Sequence, residues 1–490
     1  MEDNYKKKFL KGSFWSFIEK LFTQFTSLVV GIILARLLTP ADYGFVGILN
    51  VIIIFTTLFV EGGMSRVLIQ KKDRTEADYV TIFIFNIIIS IILYIGIFVS
   101  SPLIAKYYEK QEIILALRVL AVILFINSLT IVQNAKLQIA MDFKSLAKIT
   151  FFANLLSGII AIILAYRNLG YWALIIQQIS RSILLFLLYV VLFRWKPNLR
   201  LFSLKLLKNI FGFSLKLLTS SVISRVYLNI RDLIIGKKYA LESLGFYTRG
   251  KNFSDIALGV IDGIFQSTSF STLSKIDNNE SKFSESLAFL VKCCLIISLP
   301  AFLGLAACSN EIIFLLLTEK WINSVPFLFC FALANTVVPV EGIILNSLNA
   351  LGRPNVFLKA LFIKLPIDTV ILLISIQISP LGIAIGLLIN SFISLFIDFL
   401  ISSRHTGYSF IKFIRNNYKI ISSALIMFAI VMLVGAWNIP QLIKLILKIF
   451  IGIIVYTTSL FIFRESLALA FYIKIKEKFV QKKLIKGRAK

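Results

Sequence analysis

Leu37-Leu38-Thr39-Pro40-Ala41-Asp42-Tyr43-Gly44 closes a long apolar run that opens at Gly12-Ser13-Phe14, and Ala240-Leu241-Glu242-Ser243-Leu244-Gly245 closes a second one opened by Gly212-Phe213-Ser214. Further along, Gln133-Asn134-Ala135-Lys136 is echoed by Leu348-Asn349-Ala350-Leu351. Leu169-Gly170-Tyr171-Trp172-Ala173-Leu174 is echoed by Leu381-Gly382-Ile383-Ala384-Ile385-Gly386. The four anchors keep their order at offsets of about 200 to 215 residues, the mark of an internal duplication. In a chain that crosses a membrane, two similar halves predict two lobes around one central path.

The membrane follows from composition. The chain has 490 residues, 58% of them hydrophobic and only 16% charged, with mean hydropathy +0.87. A soluble domain carries about 25% charged residues. Runs of about 20 apolar residues suffice to cross the hydrocarbon core as a helix. About fourteen such runs are present, centred near Leu28, Ile53, Ser90, Val122, Gly158, Leu184, Ile223, Gly259, Leu295, Ala334, Val370, Ile389, Phe428 and Ile454. None shows the short alternating pattern of a membrane β-barrel.

The net charge of +27 does not point to nucleic acid, because the cations sit in alternate loops. Lys6, Lys7, Lys8 and Lys11 precede the first run, Lys71, Lys72 and Arg74 follow the second, and a basic tail ends in Arg488 and Lys490. The loops around Pro40, Asn168, Pro380 and Pro440 are nearly uncharged, so the positive-inside rule predicts both termini in the cytoplasm. Six runs per half is an even number, so the repeat is parallel rather than inverted. The expected fold is an all-α integral membrane protein of about fourteen transmembrane helices, with two pseudo-symmetric six-helix lobes around a central cavity. Expected boundaries are 1–200 for the N-lobe, 201–405 for the C-lobe, 406–464 for two extra helices and 465–490 for a basic cytoplasmic tail.

Groups for chemistry are scarce. His405 is the single histidine and lies in a basic loop, which argues against a Ser-His-Asp triad. No His-Glu-x-x-His zinc helix and no Asp-x-Asp pair occurs. Gly245-Phe246-Tyr247-Thr248-Arg249-Gly250-Lys251-Asn252 imitates a phosphate-binding loop, but Asn252 replaces the magnesium-binding hydroxyl and no strand precedes it. Cys293, Cys294, Cys308 and Cys330 lie in or beside apolar runs and suggest neither a disulfide nor a metal site. No catalytic residue and no metal ligand is expected, and transport is favoured over catalysis.

Ionisable groups are costly inside a bilayer and usually face a cavity or a partner. Ser16, Glu19, Lys20, Thr23 and Ser27 share one face of the first run, and Lys216, Thr219, Ser220, Ser224, Tyr227 and Arg231 one face of the seventh. At an offset of 200, Lys20 falls on Ser220, Ser16 on Lys216 and Gly31 on Arg231. A second pair of stripes runs through Tyr43, Gly47, Asn50, Thr57 and Glu61, and through Asp255, Gly259, Asp262 and Gln266. Arg181, beside Gln177 and Gln178, stands midway along its run, where a cation suits an anionic ligand and a structural bond to a neighbouring helix is equally open. Lys20, Arg181, Lys216 and Arg231 are the candidate cavity cations, with Ser220, Ser224, Asn50 and Gln178 as polar lining. Glu61, Asp262 and Asp368 are candidate gate or coupling carboxylates. Lys364 and Asp368, four apart, are placed to satisfy each other, Glu341 beside Pro339 suggests a bent helix, and Arg118 and Arg36 are weaker candidates.

Leu37 to Gly44, Leu68-Ile69-Gln70-Lys71-Lys72-Asp73, Asp232-Leu233-Ile234-Ile235-Gly236, Leu244-Gly245-Phe246-Tyr247 with Arg249, Glu319-Lys320-Trp321 and Asn349-Ala350-Leu351-Gly352-Arg353-Pro354 occur in this order. Together they resemble the polysaccharide transporter family, the lipopolysaccharide and exopolysaccharide flippases of the multidrug/oligosaccharidyl-lipid/polysaccharide exporter superfamily, over about residues 12–420. The resemblance implies two six-helix lobes forming a V with a cationic cavity. It further implies flipping of a lipid-linked oligosaccharide, typically on undecaprenyl diphosphate, across a bacterial cytoplasmic membrane for lipopolysaccharide, capsule or exopolysaccharide synthesis. Implied partners are that lipid-linked oligosaccharide, membrane lipids, a polysaccharide polymerase and chain-length machinery. No cofactor is implied, and coupling to a proton or a sodium gradient is left open. A multidrug antiporter and a peptidoglycan-precursor flippase share the fold and stay open as alternatives. A membrane polysaccharide polymerase or ligase is disfavoured because no outer loop is long.

Overall fold

The computed structural model describes residues 22–61, 64, 68, 69, 71, 73–193, 195–208, 222, 229–274, 276, 279–467 and 469. The regular elements among them are helices: α1 (Phe22–Leu37), α2 (Pro40–Glu61), α3 (Glu76–Tyr108), α4 (Glu112–Leu120), α5 (Val122–Ser128), α6 (Ile131–Ile139), α7 (Phe143–Tyr166) and α8 (Trp172–Phe193). After these come α9 (Leu241–Leu273), α10 (Glu280–Ala307), α11 (Ser309–Leu317), α12 (Val325–Ala334), α13 (Val338–Ala350), α14 (Pro354–Ile378), α15 (Pro380–Thr406), α16 (Phe410–Val434) and α17 (Gln441–Ile462). Ten helical stretches in the described residues are long and apolar enough to cross a membrane, or eleven with the bent α4–α6 segment, and α1 is a shorter apolar helix. By packing, the chain divides into compact units Met1–Thr248 and Arg249–Lys490, a boundary that falls inside α9.

Local chemistry sets the helix starts. Thr39 and Asp42 cap α2 reciprocally: Asp42 Oδ2 accepts from Thr39 N at 2.9 Å, and Thr39 Oγ1 accepts from Asp42 N at 3.2 Å. Pro40 between them takes the first helical position, where no amide is needed. Thr75 and Asp78 do the same for α3, Asp142 caps α7, and Asn279 caps α10. Each sequence motif with a polar residue before an apolar run is thus a helix entrance.

In the first unit, Gly44 explains the end of that opening motif. A Cβ on Gly44 would lie 1.8 Å from the Leu241 carbonyl oxygen, and one on Gly245 would lie 2.0 Å from the Pro40 carbonyl oxygen. The starts of α2 and α9 therefore cross backbone against backbone, and only glycine fits at either repeat-related position. Small residues let membrane helices approach in this way. Gly170, at φ +53°, lies so close that a Cβ would meet Asp42 Oδ1 at 3.1 Å. The Leu169–Leu174 motif thus packs on the Thr39–Asp42 cap, and the rings of Phe45 and Tyr171 meet at 4.3 Å.

Both units contain a long helix with a proline inside it, Pro102 in α3 and Pro300 in α10. Pro102 in α3 withdraws the donor from the Phe98 carbonyl. Arg118 of α4 replaces it, donating from Nη2 at 3.1 Å while its guanidinium lies 3.8 Å from the centre of the Phe98 ring. Pro300 in α10 leaves the Ile296 carbonyl in the same position, and the Tyr456 hydroxyl of α17 donates to it at 3.0 Å. Arg118 is therefore a helix-repair residue. Tyr456→Phe should lower stability by about 1–3 kcal/mol, because a carbonyl in apolar surroundings loses its partner. Adding Pro300→Ala restores a helical donor and should recover most of that loss in thermal unfolding of the detergent-purified protein. A double variant no better than Tyr456→Phe alone would refute this account.

α16 and α17 are built into the second unit. α16 packs on α10 and α17 on α11. Lys448 of α17 donates to the last carbonyl of α10, at Ala307, and to Glu311 Oε1, both at 2.8 Å. The span holding Glu341 breaks at Asn335–Val337, between α12 and α13, as Pro339 led one to expect. Asn335 Nδ2 ties that break to Ser254 Oγ of α9 at 2.8 Å.

Candidate functional site: a polar cavity around Arg181

α8 is apolar on most of its surface, yet its middle is polar. Arg181 is the tenth of its 22 residues and is exposed. It lines a cavity of about 330 Å³ with Gln178 and Ser182 from its own helix, Thr57 and Glu61 from α2, and Asn127, Thr130 and Asn134 from the broken α5–α6 segment. It also lines a smaller cavity of about 190 Å³, with Thr26 and Ser27 of α1, Asn154 and Ser157 of α7, and Gln177 and Gln178. Asn154 Nδ2 is buried and finds no acceptor among the described residues. The first unit thus carries an amide- and hydroxyl-lined space with one guanidinium and one carboxylate facing it.

Of the residues singled out from sequence, Arg181, Gln178 and Glu61 come together here. Asn50 does not line either cavity; it is half-buried on α2, and its Oδ1 is buried without a hydrogen bond. Arg231, on the helical residues 229–238, is 5% exposed and lines neither cavity. Lys20, Lys216, Ser220 and Ser224 lie outside the described residues. Sequence reasoning missed Asn127, Thr130 and Asn134, which follow one another at intervals of three and four around a helix break, the available signal.

The second unit holds its own polar groups. Asp262 Oδ1 accepts from Gln266 Nε2 at 2.9 Å, and Gln266 Oε1 accepts from Asn346 Nδ2 of α13. Gly342 leaves the space for that side chain, since a Cβ there would collide with Gln266 Nε2. Lys364 of α14 reaches across to α15, where Asp398 Oδ2 lies at 2.7 Å, and to α13, where Glu341 Oε1 lies at 3.5 Å. Both of these partners lie on other helices. Asp368, on the same helix, is 2% exposed. His405 Nδ1 meets Arg353 Nη1 at the end of α15. Outside the membrane-spanning helices, the Lys237 ammonium, 3.0 Å from Glu109, holds that carboxyl below its usual range.

Residues 33–326 match the family model described as "Polysaccharide biosynthesis protein". The chain belongs to that family. Among relatives, it is 27% identical to the teichuronic acid biosynthesis protein TuaB of Bacillus subtilis over 67% of this chain and 68% of that one. It is 21% identical to the lipopolysaccharide biosynthesis protein WzxC of Escherichia coli, over 81% of each chain. The fold superposes on the lipid II flippase MurJ in an inward closed conformation with TM-score 0.72 and 17% identity, covering 94% of this chain and 99% of that one. An inward-facing multidrug resistance MATE family transporter follows at TM-score 0.60 and 16% identity, covering 82% and 95%. The polysaccharide family and the exporter-superfamily fold are thus those the sequence motifs suggest, and the chain is a multi-pass membrane protein.

Proposed function

We propose that the chain is a flippase moving a lipid-linked oligosaccharide, carried on a polyprenyl diphosphate, across the bacterial cytoplasmic membrane by alternating access. The observation that carries this reading is Arg181, a guanidinium held mid-helix in an apolar element and facing a cavity whose described polar lining is otherwise amides, hydroxyls and the single carboxylate of Glu61. Arginine binds phosphate oxygens through paired donors, and the amides and hydroxyls match a glycan. Family membership and relatives named for teichuronic acid and lipopolysaccharide biosynthesis supply the pathway context. A polysaccharide polymerase and chain-length machinery would take the product at the outer leaflet. Movement is driven by a proton or sodium gradient acting through intramembrane carboxylates, of which Glu61, Asp262 and Asp368 are candidates, with Asp398 and Glu341 beside Lys364. The cations Lys20, Lys216 and Arg231 complete the substrate path, with Ser220, Ser224 and Asn50.

In proteoliposomes holding a fluorescent undecaprenyl diphosphate oligosaccharide, Arg181→Ala should slow flipping about tenfold to a hundredfold, the worth of about 1.5–3 kcal/mol in charged hydrogen bonds. Arg181→Lys, which keeps the charge but loses the fork, should fall between. Wild-type rates in Arg181→Ala would defeat the reading. A cation antiporter is the second reading, favoured by the Glu61 carboxylate in the same cavity, and would show as uptake of organic cations that Glu61→Gln abolishes.

A further inference from the structure

The wall of the larger cavity contributed by α5 and α6 is a broken helix, bent by 40° at the break. Asn127 stands before the break, Thr130 within it and Asn134 beyond it, and all three line the cavity. Their bonds within the protein set them for a ligand. The Thr130 hydroxyl donates to the Asn127 carbonyl at 2.8 Å, which commits its proton and leaves its lone pairs as acceptors. Gln138 Nε2 donates to Asn134 Oδ1 at 2.7 Å, which fixes the Asn134 amide and leaves Nδ2 as the donor. On the facing wall Thr57 is likewise committed, donating to the Ile53 carbonyl at 2.7 Å, and the Glu61 carboxylate adds an acceptor. Gln178, Arg181 and Ser182 complete the polar lining, the rest is aliphatic, and no aromatic ring stands among the described lining residues.

Fixed donors and acceptors in mixed array, with one acidic group and one guanidinium, suit a ligand that donates and accepts hydrogen bonds along this wall and presents an anionic group to Arg181. The volume of about 330 Å³ sits at the low end of small-molecule sites, about 300–1,000 Å³, so the cavity takes one sugar-sized group rather than a whole oligosaccharide. We propose that the Asn127–Thr130–Asn134 wall, with Glu61, is a sugar subsite that receives a neutral pyranose bearing hydroxyl or acetamido groups, beside the anionic group held by Arg181. With Arg181 engaged by the anionic group, the Glu61 carboxylate disfavours a second acid at this position, a repulsive element of the kind that sets specificity. The subsite rests on the flippase reading, in that its sugar belongs to the lipid-linked glycan.

The test uses the full chain in detergent micelles and four soluble probes: methyl N-acetylglucosaminide, methyl glucoside, methyl glucuronide and inorganic pyrophosphate, with affinities taken from saturation-transfer NMR titrations. With pyrophosphate present at saturation to occupy Arg181, expected are saturable binding of both neutral glycosides and binding of the glucuronide at least about tenfold weaker. Asn134→Ala should weaken the neutral glycosides about fivefold to tenfold, the loss of one hydrogen bond, with pyrophosphate unchanged. Asn127→Ala gives the same pattern and serves if Asn134→Ala melts early. Glu61→Gln should narrow the gap between glucuronide and glucoside. The subsite is overturned if neither neutral glycoside saturates, if the glucuronide binds as well as the glucoside, or if both asparagine variants bind the neutral glycosides as the wild type does. Pyrophosphate affinity untouched by Arg181→Ala, with the glycoside results as expected, would instead remove the diphosphate reading and leave the sugar subsite standing.

Discussion

Gly44→Ala is expected to be among the most damaging single-methyl changes in this protein. Its Cβ would sit 1.8 Å from the Leu241 carbonyl oxygen and 3.2 Å from the Gly245 nitrogen, so the obstacle is backbone and cannot rotate away. The two helices would have to part. Overpacking a fitted interface costs about 1–3 kcal/mol, and here every bond along both helix starts shares the displacement, so about 3 kcal/mol or more is expected. Gly245→Ala meets the Pro40 carbonyl in the same way and should match it. Because both substitutions force open one crossing, their costs should not add. Gly47→Ala is the control: its nearest neighbour is the Leu244 Cδ2 methyl at 3.3 Å, a side-chain tip that can shift. Gly96→Ala meets nothing within 4 Å and should be neutral or stabilising by about 0.5–1 kcal/mol through helix propensity. Thermal unfolding of the purified protein in detergent orders the four variants; equal melting of Gly44→Ala and Gly47→Ala would refute the crossing.

That crossing shows what the sequence carried and what it did not. Repetition placed Gly44 and Gly245 at equivalent positions, and the Leu37–Gly44 stretch read as the close of the first apolar run, whereas the structure shows its Thr39 and Asp42 capping the start of α2. The reciprocity of the contact was invisible, since it depends on which backbone atoms of α2 and α9 meet in space. Arg118 illustrates the same limit. Its partner is a main-chain oxygen freed by Pro102, and no spacing rule connects a proline to an arginine on the next helix. The pair Lys364 and Asp368 fitted a helical interval, whereas the contact of Lys364 with Asp398 on the neighbouring helix has no signature in spacing. Arg181 was legible because a cation halfway along an apolar run is conspicuous wherever it points. Asn127, Thr130 and Asn134 were not, because a helix break divides them and the amphipathic stripe is interrupted.

Lys364→Met should be the most destabilising change in the second unit. Lys364 and Asp398 form a buried pair at 2.7 Å, with Glu341 3.5 Å from the same ammonium. Asp398 Oδ1 accepts no hydrogen bond among the described residues, and the Lys364 ammonium at Oδ2 compensates that carboxylate. Removing one member of a buried pair leaves an uncompensated charge and costs about 3–5 kcal/mol, whereas replacing both by neutral groups of similar shape is often close to neutral. Lys364→Met with Asp398→Asn should therefore recover most of the stability lost in the single variant. Glu341→Gln leaves the 2.7 Å pair intact and removes the excess negative charge, so it should melt at or above the wild type. The same variant separates structure from coupling: if Glu341 carries the driving ion, transport by a stable Glu341→Gln protein loses its dependence on the imposed gradient. Melting of Lys364→Met at the wild-type temperature would show that the pair contributes nothing. A double variant as unstable as the single would show that shape, and not charge, holds α13, α14 and α15 together.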